Sequence, residues 1–543
     1  MAPDIRRRII KFAVLFFPLS AWLVTAKLMS DIPFNSITWR VLSLWVQSTP
    51  HHTPLVVAPV AGFIMALVLA FSLKRYATSE GFDGAGYKKH IRGTEVVPLK
   101  KLEKLCTEGN GQEQVIVAGV PMPLMIENLH LLIAGATGSG KSVLLRPLVL
   151  TALRRGDRAV IVDPDGSLYS KFGRPEDVLL NPYDQRTEGW SFFNEVRADY
   201  DWKRLAMSVV PLGADANAEE WNSFGRLLLR EAARKLYELG TPSIEELFRW
   251  CTIANDKDLR AFLSGTLAES LFAGSSEATK ALSSARFVLS NKLSEHMSMP
   301  AGGFSIRDWM DGGTGCLYIT WRDDMKQAMK PLLTAWVDVF LSALLSMSED
   351  EQRRWWLFID ELASLEKLAS LEDGLTKGRK PGLRVVAGLQ SVSQLDDIYG
   401  KQMSQTLRAS FRSLVVLGGS KTDPETAEEM SKALGEHEVA RPEYTDSRNP
   451  GSSRNTSERL VRSTERVVTP AQIQALPHLT GWLAFAGNRP ISKFVLEPQT
   501  FAVRNAPFVE ARRAGAHSVA TAPAGGPSPW NQVDLPEDPT MAA

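Results

Sequence analysis

Cysteine is scarce. The chain has three in 543 residues, Cys106, Cys251 and Cys316, scattered far apart. No zinc-ligand spacing and no disulfide framework can be built from them, so buried, inert thiols in a reducing compartment are expected for the bulk of the chain. An excess of charge of either sign is also missing. Sixty-two basic residues face 61 acidic ones, for a net charge of +1. That excludes a strongly basic nucleic-acid protein but leaves room for a local basic patch or pore. There are no internal repeats. A composition of 44% hydrophobic and 23% charged residues excludes collagen-like, coiled-coil and wholly disordered chains. The length implies two to four domains.

Long apolar runs are present, but only at the N-terminus. Residues 9–28 are broken only by Lys11, Ser20, Thr25 and Lys27, and residues 54–73 carry no charge. Each matches the roughly 20 residues of a membrane-spanning helix. The first run is too long for a signal peptide and has no small-residue cleavage site. A charge-free run of the second's length argues against a buried core helix. Arg6, Arg7, Arg8 and Lys11 precede the first run, and Lys74 and Arg75 follow the second. The loop between, 30–53, holds only Asp31 and Arg40 as charges. The positive-inside rule then puts both ends in the cytoplasm and the loop outside. Trp39 and Trp45 in that loop fit the membrane interface or loop packing equally.

Beyond the anchor, expected for 1–76, residues 80–128 read as short strands and turns. Apolar runs at 129–134 and 158–163 then flank a helical segment, the alternation of a parallel α/β sheet. From 190 to 300 β-branched runs vanish and apolar residues recur at helical spacing, which predicts an all-α insertion. Strands resume at 317–321, 356–360, 383–387 and 414–417. The expected division is a nucleotide-binding domain in two parts, 77–189 and 301–510, around the all-α domain. The polar stretch 441–465 reads as a mobile loop. The last segment, 511–543, is rich in Ala, Pro, Gly and Ser and reads as a disordered tail.

One motif carries chemistry. Gly135-Ala136-Thr137-Gly138-Ser139-Gly140-Lys141-Ser142 is a complete Walker A loop between a predicted strand and a predicted helix. Its backbone N–H groups and the helix N-terminus suit phosphates, Lys141 adds a point charge, and Ser142 offers a hydroxyl to Mg²⁺. The run WWLFIDE, ending in Asp360 and Glu361, supplies the partner: Asp360 for Mg²⁺ and Glu361 as a general base that orients or deprotonates the attacking water. ATP and Mg²⁺ are the implied cofactors. Gln390 follows the strand LRVVAGLQ at the end where ligands bind, as a γ-phosphate sensor or as a cap for the next helix. Arg379, in Lys377-Gly378-Arg379-Lys380, fits either an arginine finger given to a neighbouring subunit or a solvated basic face. Asp163-Pro164-Asp165-Gly166 can close the nucleotide end of the sheet or be only a turn.

The two N-terminal runs, GATGSGKS, IVDPDG, the helical insertion, LFIDELASLEKL, LTKGRK and GLRVVAGLQS together resemble the conjugative type IV coupling proteins, within the broader FtsK/HerA-type translocases. The likeness extends to about Glu510. It implies an α/β fold: a P-loop, RecA-like nucleotide-binding domain with an all-α inserted domain and a two-helix transmembrane anchor. It further implies a homo-hexameric, DNA-stimulated ATPase of the bacterial inner membrane. Such a protein binds DNA without sequence specificity, preferring single strands. It links the relaxase-bearing relaxosome to a type IV secretion channel and pumps the transferred strand. By matching residue, Lys141 and Ser142 become phosphate and magnesium contacts, Asp360 and Glu361 the Walker B pair, Arg379 the trans-acting arginine and Gln390 the γ-phosphate sensor. Trp221 resembles a pore-proximal position, with helix packing as the other reading. Many relatives carry a lysine and a glutamate near the turn that reads DPDGS here, so a role for that turn does not transfer.

Three other functions remain in play. A membrane receptor or scaffold would recruit relaxase and use nucleotide only to assemble. A secretion ATPase would move protein alone. An ABC transporter is disfavoured, because no LSGGQ-type signature lies between the two motifs and two spans are too few.

Overall fold

The computed structural model describes residues 3–30, 32–33, 37–79, 89–109, 111–213, 215–447 and 455–511. The tail beyond 511 therefore lies outside the described residues.

Two apolar helices, α1 (Pro3–Leu28) and α3 (Thr53–Ser79), pack against each other, with the short helix α2 (Trp39–Ser48) between them in sequence. At Gly62 the two backbones approach closely. A Cβ there would stand 2.5 Å from the carbonyl oxygen of Phe17 and 2.8 Å from the Cα of Pro18. Small residues allow such approach between membrane helices. Trp22 donates its indole N–H to the Thr49 hydroxyl at 3.0 Å, tying α1 to the connecting segment. Large apolar side chains, among them Phe12, Leu15, Val24, Val57 and Phe71, point outward. By length and composition a third segment, Asp323–Leu345, also qualifies as a span, where the sequence reading expected two. Burial separates it from the others: 78% of it lies inside the protein, against 11% and 17% for the first two.

The body is built on a nine-stranded sheet. Its strands are β1 (Leu131–Ala134), β2 (Arg158–Pro164), β3 (Val178–Leu180), β4 (Leu317–Trp321), β5 (Trp355–Ile359), β6 (Leu383–Leu389), β7 (Ser413–Leu417), β8 (Thr480–Ala484) and β9 (Ser492–Val495). Their spatial order is β9-β8-β7-β1-β6-β5-β2-β4-β3. The seven strands from β7 to β3 run parallel, and β8 and β9 are antiparallel to their neighbours. The central strands are uninterrupted apolar runs because both faces are covered. Leu132, Val160, Ile319, Leu357 and Val385 face one core, while Leu131, Ala159, Tyr318, Trp356 and Val386 face the other, with the two-residue period of a strand. Helix α4 (Lys141–Arg154) buries Leu144, Leu145 and Leu148 in the second core.

Between Glu195 and Met299 the secondary-structure elements among the described residues are all helices, led by α5 (Ala216–Glu238) and α6 (Ser276–Leu293). Asp215, Ser243, Asn255 and Ser275 each cap a helix by accepting from the backbone N–H three residues on. The apolar faces of α5 and α6, with Leu228, Ala232, Leu282 and Leu289, join the first sheet core. Helix α7 (Lys326–Leu345) links the two: Leu333, Val337 and Phe340 lie in that same core. Helix α8 (Leu371–Lys377) follows β5 and leads into β6.

The stretch expected to be a mobile loop is instead a long ribbon. Glu436–Ser447 and Asn455–Arg466 pair antiparallel along their whole length, and Lys89–Gly93 adds a third strand at the base. A ribbon with polar residues at successive positions lacks the apolar alternation by which a strand is recognised. Strands β3, β8 and β9 also escaped the sequence reading. The other predicted strands fall within a residue or two of their places.

Candidate nucleotide site

The Walker A loop leaves β1 and is pinned on both sides. Gly135 N–H donates to the Leu389 carbonyl and Ala136 N–H to that of Gly418, each at 3.0 Å, so the loop hangs between the ends of β6 and β7. Gly138 (φ 74°) and Gly140 (φ 116°) hold left-handed conformations that a side chain would resist. A Cβ on Gly135 would stand 2.6 Å from the Ser139 hydroxyl. The loop ends at the N-terminus of α4, where the helix dipole and free N–H groups favour an anion. Lys141 Nζ donates to the carbonyls of Gly135 (2.7 Å) and Ala136 (3.2 Å), curling over the loop. Burial lowers its pKa, against the pull of Asp360 and Glu361.

Strand β5 delivers the acidic pair. Ser142 Oγ donates to Asp360 Oδ2 at 3.2 Å. Burial raises the Asp360 pKa, and the Ser142 bond and the Lys141 charge oppose the rise. Glu361 Oε2 accepts from Lys326 Nζ and from Ser364 Oγ, both at 3.1 Å. Strand β6 lies between β1 and β5, so Gln390, just past its end, falls between the loop and the acids. Its side-chain amide donates to the Thr137 hydroxyl. Gly388 leaves room for this arrangement, since a Cβ there would collide with the Asp360 carbonyl oxygen.

These residues line one cavity of about 340 Å³ that includes Thr137, Lys141, Ser142, Asp360, Glu361 and Gln390. Sequence reading missed two of its walls, His478 and Leu479. Leu479 adopts a positive φ of 59° and puts its Cδ2 2.8 Å from where a Cβ on Gly140 would be. Nothing in the local pattern marks them. A larger groove, about 630 Å³, lies at the N-terminal ends of β1 and β7, beside Arg412 and Arg489, and includes none of the loop residues.

The donor set fits a phosphate chain with Mg²⁺. A loop of backbone N–H groups with one lysine matches phosphate oxygens, and a serine hydroxyl beside one carboxylate matches a hard cation. Among the described residues no group of three or more His, Cys, Asp or Glu could hold a metal alone. That agrees with an ion completed by water and phosphate.

Asp163, at the end of β2, is fully buried. It accepts from the backbone N–H groups of Leu168 (2.9 Å) and Tyr169 (2.8 Å), so it organises the turn. Burial pushes its carboxyl up to about 7; the N–H bonds oppose this and the nearby Asp360 charge adds to it. Pro164 lines the cavity, so this turn does close the nucleotide end of the sheet. Arg379 is not brought to the cavity. It is exposed in the turn after α8, before β6 begins. Seven residues of β6 separate that end from Gln390, about 23 Å of strand. Trp221, on α5, is 53% exposed.

Residues 114–497 match the family model for the type IV secretion-system coupling protein DNA-binding domain. The coupling protein TraD of Escherichia coli K12 is 30% identical over 424 residues, 74% of this chain and 57% of TraD. The conjugal transfer protein TraG of Agrobacterium fabrum is 29% identical over 192 residues, 35% of this chain and 28% of TraG. The chain thus spans just over half the length of TraD and less of TraG. Among solved structures, the bacterial conjugative coupling protein TrwBdeltaN70 in its unbound monoclinic form is 62% identical. It superposes with a TM-score of 0.76, over 80% of this chain and 99% of that one. The plasmid coupling protein TrwB in complex with ADP and Mg²⁺ is equally identical, with a TM-score of 0.74 over 79% and 100% of the two chains. The fold is therefore the RecA-like P-loop fold with an all-α domain, and this chain belongs to the type IV secretion-system coupling protein family.

Proposed function

We propose that this chain is an ATP-driven coupling protein of the bacterial inner membrane. It joins the relaxosome to a type IV secretion channel and pumps single-stranded DNA during conjugation. The relatives TraD, TraG and TrwB support the conjugative role, and TrwB structures with ADP and Mg²⁺ and with the ATP analogue ADPNP support the nucleotide. Helices α1 and α3 are the anchor, with both chain ends in the cytoplasm by the positive-inside rule.

The loop from Gly135 to Gly140 cradles the phosphates with its N–H groups, and Lys141 neutralises their charge. Ser142 and Asp360 hold Mg²⁺, which draws charge from the phosphates when bound. Glu361 orients and deprotonates the attacking water. Gln390, between the loop and the acids, senses the terminal phosphate. Arg379 acts on the site of the next subunit in a homo-hexameric ring. A head-to-tail interface that repeats and closes gives such a ring. DNA binding is non-specific, through phosphates and base stacking.

One observation carries this reading. The loop, the acids and Gln390 meet at one cavity, and the exposed position of Arg379 beyond the opposite end of β6 supports its use by a neighbouring subunit. The test is ATP hydrolysis by the full chain in detergent, with and without single-stranded DNA, across protein concentration. The reading expects DNA stimulation that rises cooperatively with protein and vanishes in Glu361→Gln. Hydrolysis indifferent to DNA, with transfer surviving Glu361→Gln, would replace the motor by a relaxase-recruiting scaffold.

A further inference from the structure

Glu361 does not stand alone at the cavity wall. Its Oε2 is shared by the Lys326 ammonium and the Ser364 hydroxyl, each at 3.1 Å. Lys326 opens α7, 35 residues earlier in the chain, and is not among the residues lining the cavity. Its ammonium therefore approaches Glu361 from outside the nucleotide space. Both side chains are about three-quarters buried, where an ion pair is screened less than on the open surface.

Helix α7 also holds the segment that follows Glu361. Thr334 Oγ1 accepts from the Glu366 backbone N–H at 2.8 Å, and Asp338 Oδ1 from that of Ser370 at 2.6 Å. The same two anchor points reach the helical insertion. Asp338 Oδ2 accepts from Ser208 Oγ at 2.5 Å, and the Glu366 carboxylate pairs with Lys292 of α6. A displacement of the insertion therefore pulls on α7 and on the segment that Glu361 begins.

We infer that Lys326 is a positioning residue that restrains Glu361. Its ammonium holds the carboxylate off the attacking-water position, and a shift of α7 with the helical insertion on DNA binding releases it. A carboxylate tied by an ammonium and a hydroxyl is not free to turn toward the water, so the pair suppresses turnover until it opens. The inference rests on the reading of Glu361 as the water-activating carboxylate.

Two measurements on the full chain in detergent test it. In the first, ATP hydrolysis is followed with and without single-stranded DNA in wild type, Lys326→Met and Lys326→Arg. Lys326→Met is expected to raise DNA-free turnover severalfold and to shrink the stimulation ratio, and Lys326→Arg to keep both near wild type. In the second, nucleotide-free thermal melting is measured for Lys326→Met, Glu361→Gln and the double variant. Lys326→Met is expected to lower the melting temperature in the wild-type background and not in the Glu361→Gln background. DNA-free turnover at or below wild type in Lys326→Met, or an equal melting shift in both backgrounds, overturns the inference. A wild-type chain whose hydrolysis ignores DNA sinks the motor reading by itself. The melting cycle, which needs no nucleotide, then still decides the Lys326–Glu361 contact.

Discussion

Ser142 and Asp360 are 218 residues apart in the chain and 3.2 Å apart in space, with the hydroxyl donating to the carboxylate. That contact closes the two ends of the site on each other, with Lys141 beside it. Lys141→Ala is expected to lower ATP hydrolysis by about 100-fold or more, the scale for removing one preorganised charge-stabilising donor. The melting temperature should stay close to wild type, because the ammonium bonds only to carbonyls of its own loop. Steady-state turnover beside a thermal melt separates loss of chemistry from loss of fold.

Gly388 is expected to be the least replaceable residue of β6. In Gly388→Ala the new methyl meets the Asp360 carbonyl oxygen, which cannot retreat without moving the acidic pair. A destabilisation of about 1–3 kcal/mol with loss of hydrolysis is expected. Gly303→Ala is the control, since a Cβ there meets nothing within 4 Å. Its effect should lie within about 0.5 kcal/mol. Urea unfolding of both variants measures the difference.

Much of this was legible in the sequence, and the failures have physical causes. The strands that hold the loop and the acids are apolar on both faces, so LLIA and WWLFI announce themselves. The insertion was legible from apolar residues at helical spacing, while its Asp, Ser and Asn caps became apparent only with the helices in place. The ribbon at Glu436–Arg466 was missed because its polar residues leave no apolar period to count. Strand β9 reads SKFV, too short and too mixed to stand out. His478, Leu479 and Lys326 reach the site through tertiary packing alone, so no spacing relates them to GATGSGKS. Arg379 was readable as a candidate, but its distance from its own cavity became visible only when β6 was placed.

Two buried histidines set the acid limit of the fold. His130 accepts from the Val385 N–H at Nδ1 and bonds the Leu375 carbonyl through Nε2, which requires the neutral ring. His296 lies among Trp190 and Phe192. Burial lowers both pKa values to about 4. Protonation therefore favours the unfolded chain. The stability these rings contribute is complete above pH 6.5 and is lost as the pH falls from 6.5 to 4. Each should cost about 3 kcal/mol at pH 4. Unfolding free energies between pH 7 and 4 should fall less steeply in His296→Phe than in wild type.

The anchor depends on Gly62. In Gly62→Leu the side chain would enter the backbone of Phe17 and Pro18, and α1 and α3 should separate. Cysteine cross-linking between the two helices should drop sharply in membranes. ATP hydrolysis by the same variant in detergent reports whether the anchor matters for the ring.

In the proposed ring each site is shared, with Lys141 from one subunit and Arg379 from the next. This sharing is tested most directly by mixing two dead variants, Lys141→Ala and Arg379→Ala, and measuring DNA-stimulated ATP hydrolysis. In a randomly mixed ring one interface in four keeps both residues, so roughly a quarter of the wild-type rate should return. No recovery, in mixtures shown by cross-linking to form mixed rings, would contradict the shared site.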